Sequence, residues 1–225
     1  MAHGAEHITA LLHSPWFLVT WAALMLPSLA ILLIDLRLKN SHLMPLMKWV
    51  WALTVVYSGP LGLAVYWWSG RKEITADGTY RRAARSVAHC YSGCGMGEII
   101  GLTLAVGVLA LSTAATALMT FAFAYVMGFA FTVGPLMQEG TGFGVATRDA
   151  VYSETPSIAV MEIVAIGVDL TLAGDAGPSQ VLFWSSMIVS LTCGLLAAYP
   201  VNILLIRIGI KEGMMDPRNT SHAHT

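Results

Sequence analysis

The chain has 225 residues, twelve of them basic and thirteen acidic, so charged residues make up only 11% and the net charge is −1. An ordinary soluble domain carries roughly 25%. The apolar share is 56% and mean hydropathy is +0.67. Residues 7–34, 49–70, 99–138 and 176–206 contain no Lys, Arg, Asp or Glu, and a helix needs only about 20 apolar residues to cross a bilayer. These figures exclude a soluble globule and a disordered chain. With no basic face, a nucleic-acid partner is excluded too. The predicted fold is all-α: a polytopic membrane helix bundle in contact with the lipid bilayer.

In chain order, the first span is predicted over Trp16–Asp35. No Lys or Arg precedes it, so it reads as a retained span rather than a secretory signal. The second covers Trp49–Trp68. A basic connection follows, in which Asp77 and Gly78 start a helix that presents Arg81, Arg82 and Arg85 to anionic headgroups. The run Ile99–Gln138 would be about 60 Å long as one helix, twice the bilayer core. It must fold back, near Leu111–Ala115, and so supplies the third and fourth spans. The fifth is Ser157–Ala173 and the sixth Val181–Ile206.

Counted over six spans, nine Lys and Arg share the side of the termini, while Arg37, Lys39 and Lys48 lie opposite. The positive-inside rule then puts both termini in the cytoplasm and the protein in a bacterial inner membrane. Trp67 and Trp68 mark the inner interface, and Trp49 and Trp51 the outer one. The expected organisation is two N-terminal spans with their basic connection (1–86), a four-helix membrane domain (87–214) and a flexible tail (215–225). His3, His7, His222 and His224 fall in the terminal segments and read as ordinary tails.

The segment richest in chemistry is His89 to Glu98. Residues four apart on a helix lie one above the other. Gly93, Gly97, Gly101 and Ala105 therefore form a small-residue ridge, which lets two membrane helices meet backbone to backbone. Cys90, Cys94 and Glu98 form a second line, about 100° around the helix. Thiols and imidazole accept soft or borderline metals, so His89, Cys90, Cys94 and Glu98 are the candidate metal ligands, with Cu(I) or Zn(II) the candidate ion. Two small buried thiols acting as hydrophobes, or a thiol redox pair, remain alternative readings.

Three carboxylates lie at membrane depth: Glu98, Glu162 and Asp169. Acids there are costly and point to function. Asn202 falls near Pro200, which frees a backbone carbonyl. Glu162, Asp169 and Asn202 are the candidate ion or proton path, with Glu98, Glu162 and Asn202 expected in one layer. The methionines within the spans read as adaptable filler. No nucleotide-binding loop, nucleophile elbow or zinc-protease motif occurs, so no enzyme is expected.

Two stretches resemble the bacterial integral membrane family labelled domain of unknown function 4396. One is His89-Cys90-x-x-Gly93-Cys94-x-x-Gly97-Glu98. The other is Pro200-Val201-Asn202 followed, after an apolar run, by Gly209-x-Lys211-x-Gly213-Met214. A weaker match is Ser153-Glu154-x-x-Ser157. The likeness covers roughly Val87–Met214 and leaves the first two spans outside. It implies a membrane protein with a functional His/Cys/acid motif and no stated activity. The expectation is a protein that binds or transports a soft metal ion. Alternatives are a non-catalytic accessory subunit of a larger membrane complex, with a homo-oligomer or other membrane partners, and a membrane thiol oxidoreductase.

Overall fold

A computed structural model describes residues 10–138, 140–214 and 216–218. The terminal histidines and most of the predicted tail lie outside the described residues. The elements are α1 (Pro15–Leu38), α2 (Pro45–Ser58), α3 (Pro60–Ser69), α4 (Thr79–Leu102), a π-helical extension of α4 (Thr103–Val108), α5 (Thr113–Gln138), α6 (Phe143–Ala173) and α7 (Val181–Arg207). Five helices are long and apolar enough to cross a membrane: α1, α4 with its extension, α5, α6 and α7. The fold is thus an all-α, multi-pass bundle. The fold-back predicted near Leu111–Ala115 falls at residues 109–112. α6 starts fourteen residues before the predicted Ser157, and Glu154 within this added stretch is paired with Lys211. The division expected at residues 86 and 87 falls inside α4.

The second predicted span does not cross. α2 and α3 form a helical hairpin whose two ends lie at the same end of the bundle. Gly59 sits at the tip at φ +55°, where a side chain is strained, and packs against Trp21 in α1. Pro60 starts the return helix, since its missing N–H is unneeded at a first helical position. The limbs then run back to back. Trp51 meets Tyr66 edge-on with ring centroids 5.2 Å apart, and a Cβ on Gly70 would lie 2.5 Å from the Trp51 ring. A side chain at Gly62 would sit 2.7 Å from the Thr54 carbonyl. Trp51 is therefore fully buried and forms no interfacial belt.

The hairpin changes the topology. Asp35 at the end of α1 accepts bonds from Tyr66 (2.7 Å) and Arg71 (3.0 Å), and Asn40 accepts from the backbone N–H of Lys72 (2.9 Å). His42 lies 2.8 Å from the Pro217 carbonyl. The first connection, the second connection and the segment after α7 therefore share one end. The fold carries Arg148, in the second turn of α6, to that end as well. All twelve Lys and Arg of the chain lie there, in place of the expected nine against three. With five crossings instead of six, the start of α1 and the end of α7 lie at opposite ends, which corrects the placement of both termini on one side.

Gly93, Gly97 and Gly101 of α4 approach α5 of the same chain closely. A Cβ on Gly93 would lie 2.8 Å from Gly128 Cα, one on Gly97 2.6 Å from Ala124 Cα, and one on Gly101 2.9 Å from Thr120 Cα. α4 and α5 thus touch through their backbones. The neighbouring Cys90–Cys94–Glu98 line then lies along the seam between α5 and α6.

Two outcomes follow. In a Cys193→Ser background, where Cys90 and Cys94 stay buried, cysteines introduced one at a time, H13C on one hand and S41C or T75C on the other, should react with a membrane-impermeant maleimide from opposite faces. A six-crossing layout would instead separate S41C from T75C. Gly97→Ala should lower unfolding stability in detergent by about 1–3 kcal/mol through overpacking. Gly167→Ala, with nothing within 4 Å of the added Cβ, should be close to neutral in the same thermal melts.

Candidate functional site

The polar side chains inside the bundle form a column. At the basic end, Lys211 follows α7 and is folded back under the turn at Gly209 (φ +75°). Its Nζ donates to Glu154 Oε2 of α6 at 2.7 Å and to Asn202 Oδ1 of α7 at 3.0 Å. Lys211 and Glu154 are only 7% and 5% exposed. Asn202 Nδ2 donates in turn to Ser157 Oγ at 2.6 Å and to the Ala198 carbonyl at 3.0 Å. Ser157 Oγ lies 4.0 Å from Cys90 Sγ, which lies 3.9 Å from Cys94 Sγ.

Deeper in, the carboxylates take over. Glu162 of α6 lies beside the Cys90 and Cys94 thiols. Glu98 of α4 is within electrostatic reach of Glu162 and Asp169, and Asp169 adjoins Ser186 of α7. Glu98 and Asp169 line one void of about 10 Å³ together with Leu102, Thr116, Thr120 and Ile166. That is room for about one water molecule, and too little for a hydrated cation. Both Glu162 oxygens, Glu98 Oε2 and Asp169 Oδ1 are buried with no hydrogen-bond partner among the described residues. Unsatisfied carboxylate oxygens this deep are expensive, so the region is held in place by its surroundings rather than by its own bonds.

The predicted residues are therefore only partly brought together. Cys90 and Cys94 do meet. Glu98 does not join them directly; it belongs to the acid group one turn deeper, and Glu162 takes its place at the sulfurs. His89 leaves the set. Its ring packs edge-on against Phe131 of α5 with centroids 6.1 Å apart, and its Nε2 has no partner among the described residues. Among the described residues no group of three His, Cys, Asp or Glu is assembled with ready metal-binding spacing. Asn202 does not share a layer with Glu98 and Glu162; it stands nearer the basic end, between Lys211 and Ser157. Ser157, Glu154 and Lys211 were not among the predicted site residues. All three occur in the motifs that carried the family resemblance, which was the available signal.

A buried arginine closes the same end. Arg85, 1% exposed, is bidentate to Asp77 (2.9 and 2.7 Å) and also donates to the carbonyls of Ser69 (2.9 Å) and Met214 (3.0 Å). It does not face headgroups as expected; it ties the hairpin exit and the segment after α7 to the start of α4. Arg81 instead lies over the Trp68 ring, 5.8 Å from its centroid.

Fold and column together define a multi-pass helical membrane protein with a polar interior. Residues 79–211, more than half of the chain, match the family model described as Domain of unknown function (DUF4396), and the chain belongs to that family. The match starts where α4 starts and ends on Lys211, so it encloses the whole column. No curated protein and no solved structure matches the chain.

Breaking the buried ion pair tests the upper column. Lys211→Met should destabilise the protein by about 3–5 kcal/mol, because Glu154 is left buried and unpaired. The double variant K211M/E154Q should recover a large part of that loss. Thermal unfolding of the four species in one detergent gives the coupling energy; simple additivity would show that the pair does not act as a unit.

Proposed function

We propose that the protein binds a soft metal cation, with Cu(I) as the leading case and Zn(II) the next, at Cys90, Cys94 and Glu162, and passes it along the α4–α6–α7 column. The observation that carries this reading is the pair of thiols 3.9 Å apart beside a carboxylate that has no hydrogen-bond partner among the described residues. Thiolate–metal bonds are about 2.3 Å long. A 3.9 Å sulfur separation then corresponds to an angle of about 115° at the ion, between tetrahedral and trigonal values. A third ligand is needed on the open side, and in this reading Glu162, beside the two thiols, moves in to supply it. Thiolates favour Cu(I). Glu98 and Asp169, joined by space for a single water, offer groups that exchange protons as a cation enters or leaves. The twelve-to-none distribution of Lys and Arg supports a cytoplasmic basic end, in a bacterial inner membrane.

The accessory-subunit reading rests on the glycine ridge and on the short connections. The glycine ridge is filled by α5 of the same chain and offers no empty face to a partner helix.

Anaerobic Cu(I) titration of the full chain in detergent under reducing conditions should load about one ion per chain and release protons on binding. C90S/C94S should bind none. Glu162→Gln should weaken binding at least about tenfold, while His89→Ala should bind as the wild type does. Absence of binding by the wild type, or equal binding by the double variant, overturns the proposal.

A further inference from the structure

The end of the bundle that carries all the cations also carries a cleft between α1 and α2. It holds about 350 Å³, within the usual size range of small-molecule sites. Its lining is divided. Leu33, Leu36 and Ala52 form an apolar floor, and Trp49 stands at the mouth, 67% exposed. Arg37, Lys48 and Ser41 form the rim. Among the described residues neither cation has a carboxylate partner. Lys48 Nζ gives one bond, to the Ser41 carbonyl at 2.6 Å. Asp35, two residues before Arg37, is already taken by Tyr66, Arg71 and Asn40.

Two unneutralised cations above an apolar floor, with a tryptophan at the boundary, are the chemistry that recognises an anionic amphiphile. A guanidinium binds phosphate oxygens as a planar fork and an ammonium as a point charge. Tryptophan belongs at headgroup level. Leu33 lies one turn from Arg37 toward the bundle centre, so an occupant would point its apolar part into the bilayer and its charge out of it. We propose that this cleft is a binding site for one anionic phospholipid, which clamps the end of α1 against the hairpin. The site is independent of the thiol–carboxylate column.

Native mass spectrometry of the full chain tests this, with phosphatidylglycerol and phosphatidylcholine of identical acyl chains as probes. The wild type should retain one phosphatidylglycerol at collision energies that strip phosphatidylcholine. R37Q/K48Q should lose that retention by at least about tenfold, and R37K/K48R should keep most of it. Millimolar inorganic phosphate should leave the lipid bound. Equal retention of both lipids by the wild type, which needs no variant to fold, overturns the proposal. So does undiminished retention by R37Q/K48Q, or displacement of the lipid by free phosphate.

Discussion

Hydrocarbon offers no hydrogen bonds, so every polar group between the ends of this bundle must find a partner inside the protein or go without. The rest of the structure follows from that constraint. The basic charges are swept to one end, where Asp35, Asp77 and Glu154 pair with Arg71, Arg85 and Lys211. Serine and threonine hydroxyls along the helices bond back to carbonyls four residues earlier, as Ser28, Thr54, Ser58 and Ser69 do. The hairpin uses the same economy. Its tip needs no polar residue, because a glycine and a proline turn the chain with backbone geometry alone.

The backbone contact between α4 and α5 then decides what α4 shows to its other neighbours. With Gly93, Gly97 and Gly101 committed to α5, the line displaced by one residue lies along the seam between α5 and α6. The sulfur of Cys94 comes within 2.6 Å of where a Cβ on Gly128 would stand, so no larger residue fits opposite it. Packing and chemistry are thus not separate on this helix. A side chain added on the ridge would push α5 away and open the seam that holds the thiols beside Glu162.

Much of this was legible in the residues. Charge-free runs located the long helices, and four-residue spacing assigned the glycine ridge and the cysteine line to adjacent stripes. Two things were not legible, for different physical reasons. Hydropathy measures length and says nothing of direction. A 22-residue charge-free run reads as a crossing whether it continues or doubles back, and only the Gly59-Pro60 pair inside it signalled a reversal. That one reversal moved three cations and one terminus to the other side. The second gap was lateral. Glu154 and Lys211 are 57 residues apart, and Asn202 and Ser157 are 45 apart. Helical periodicity gives each residue a depth and a face but not a neighbour. A layer of Glu98, Glu162 and Asn202 was therefore expected where a column stands.

The acids of this chain supply their own comparison. Asp35 takes bonds from an asparagine, a tyrosine and an arginine. Asp77 and Glu154 each hold a buried cation. These three have the partners that a structural carboxylate needs, and each ties together parts of the basic end. Glu98, Glu162 and Asp169 lie deeper, are at least as well buried as Glu154, and have oxygens with no partner among the described residues. If acids at this depth served only to fasten helices, they should resemble the first group. An apolar residue in each place would pack without the desolvation cost. The difference between the two groups, within one chain and one solvent, is what supports the proposal that the deep carboxylates and the thiols beside them exchange a cation.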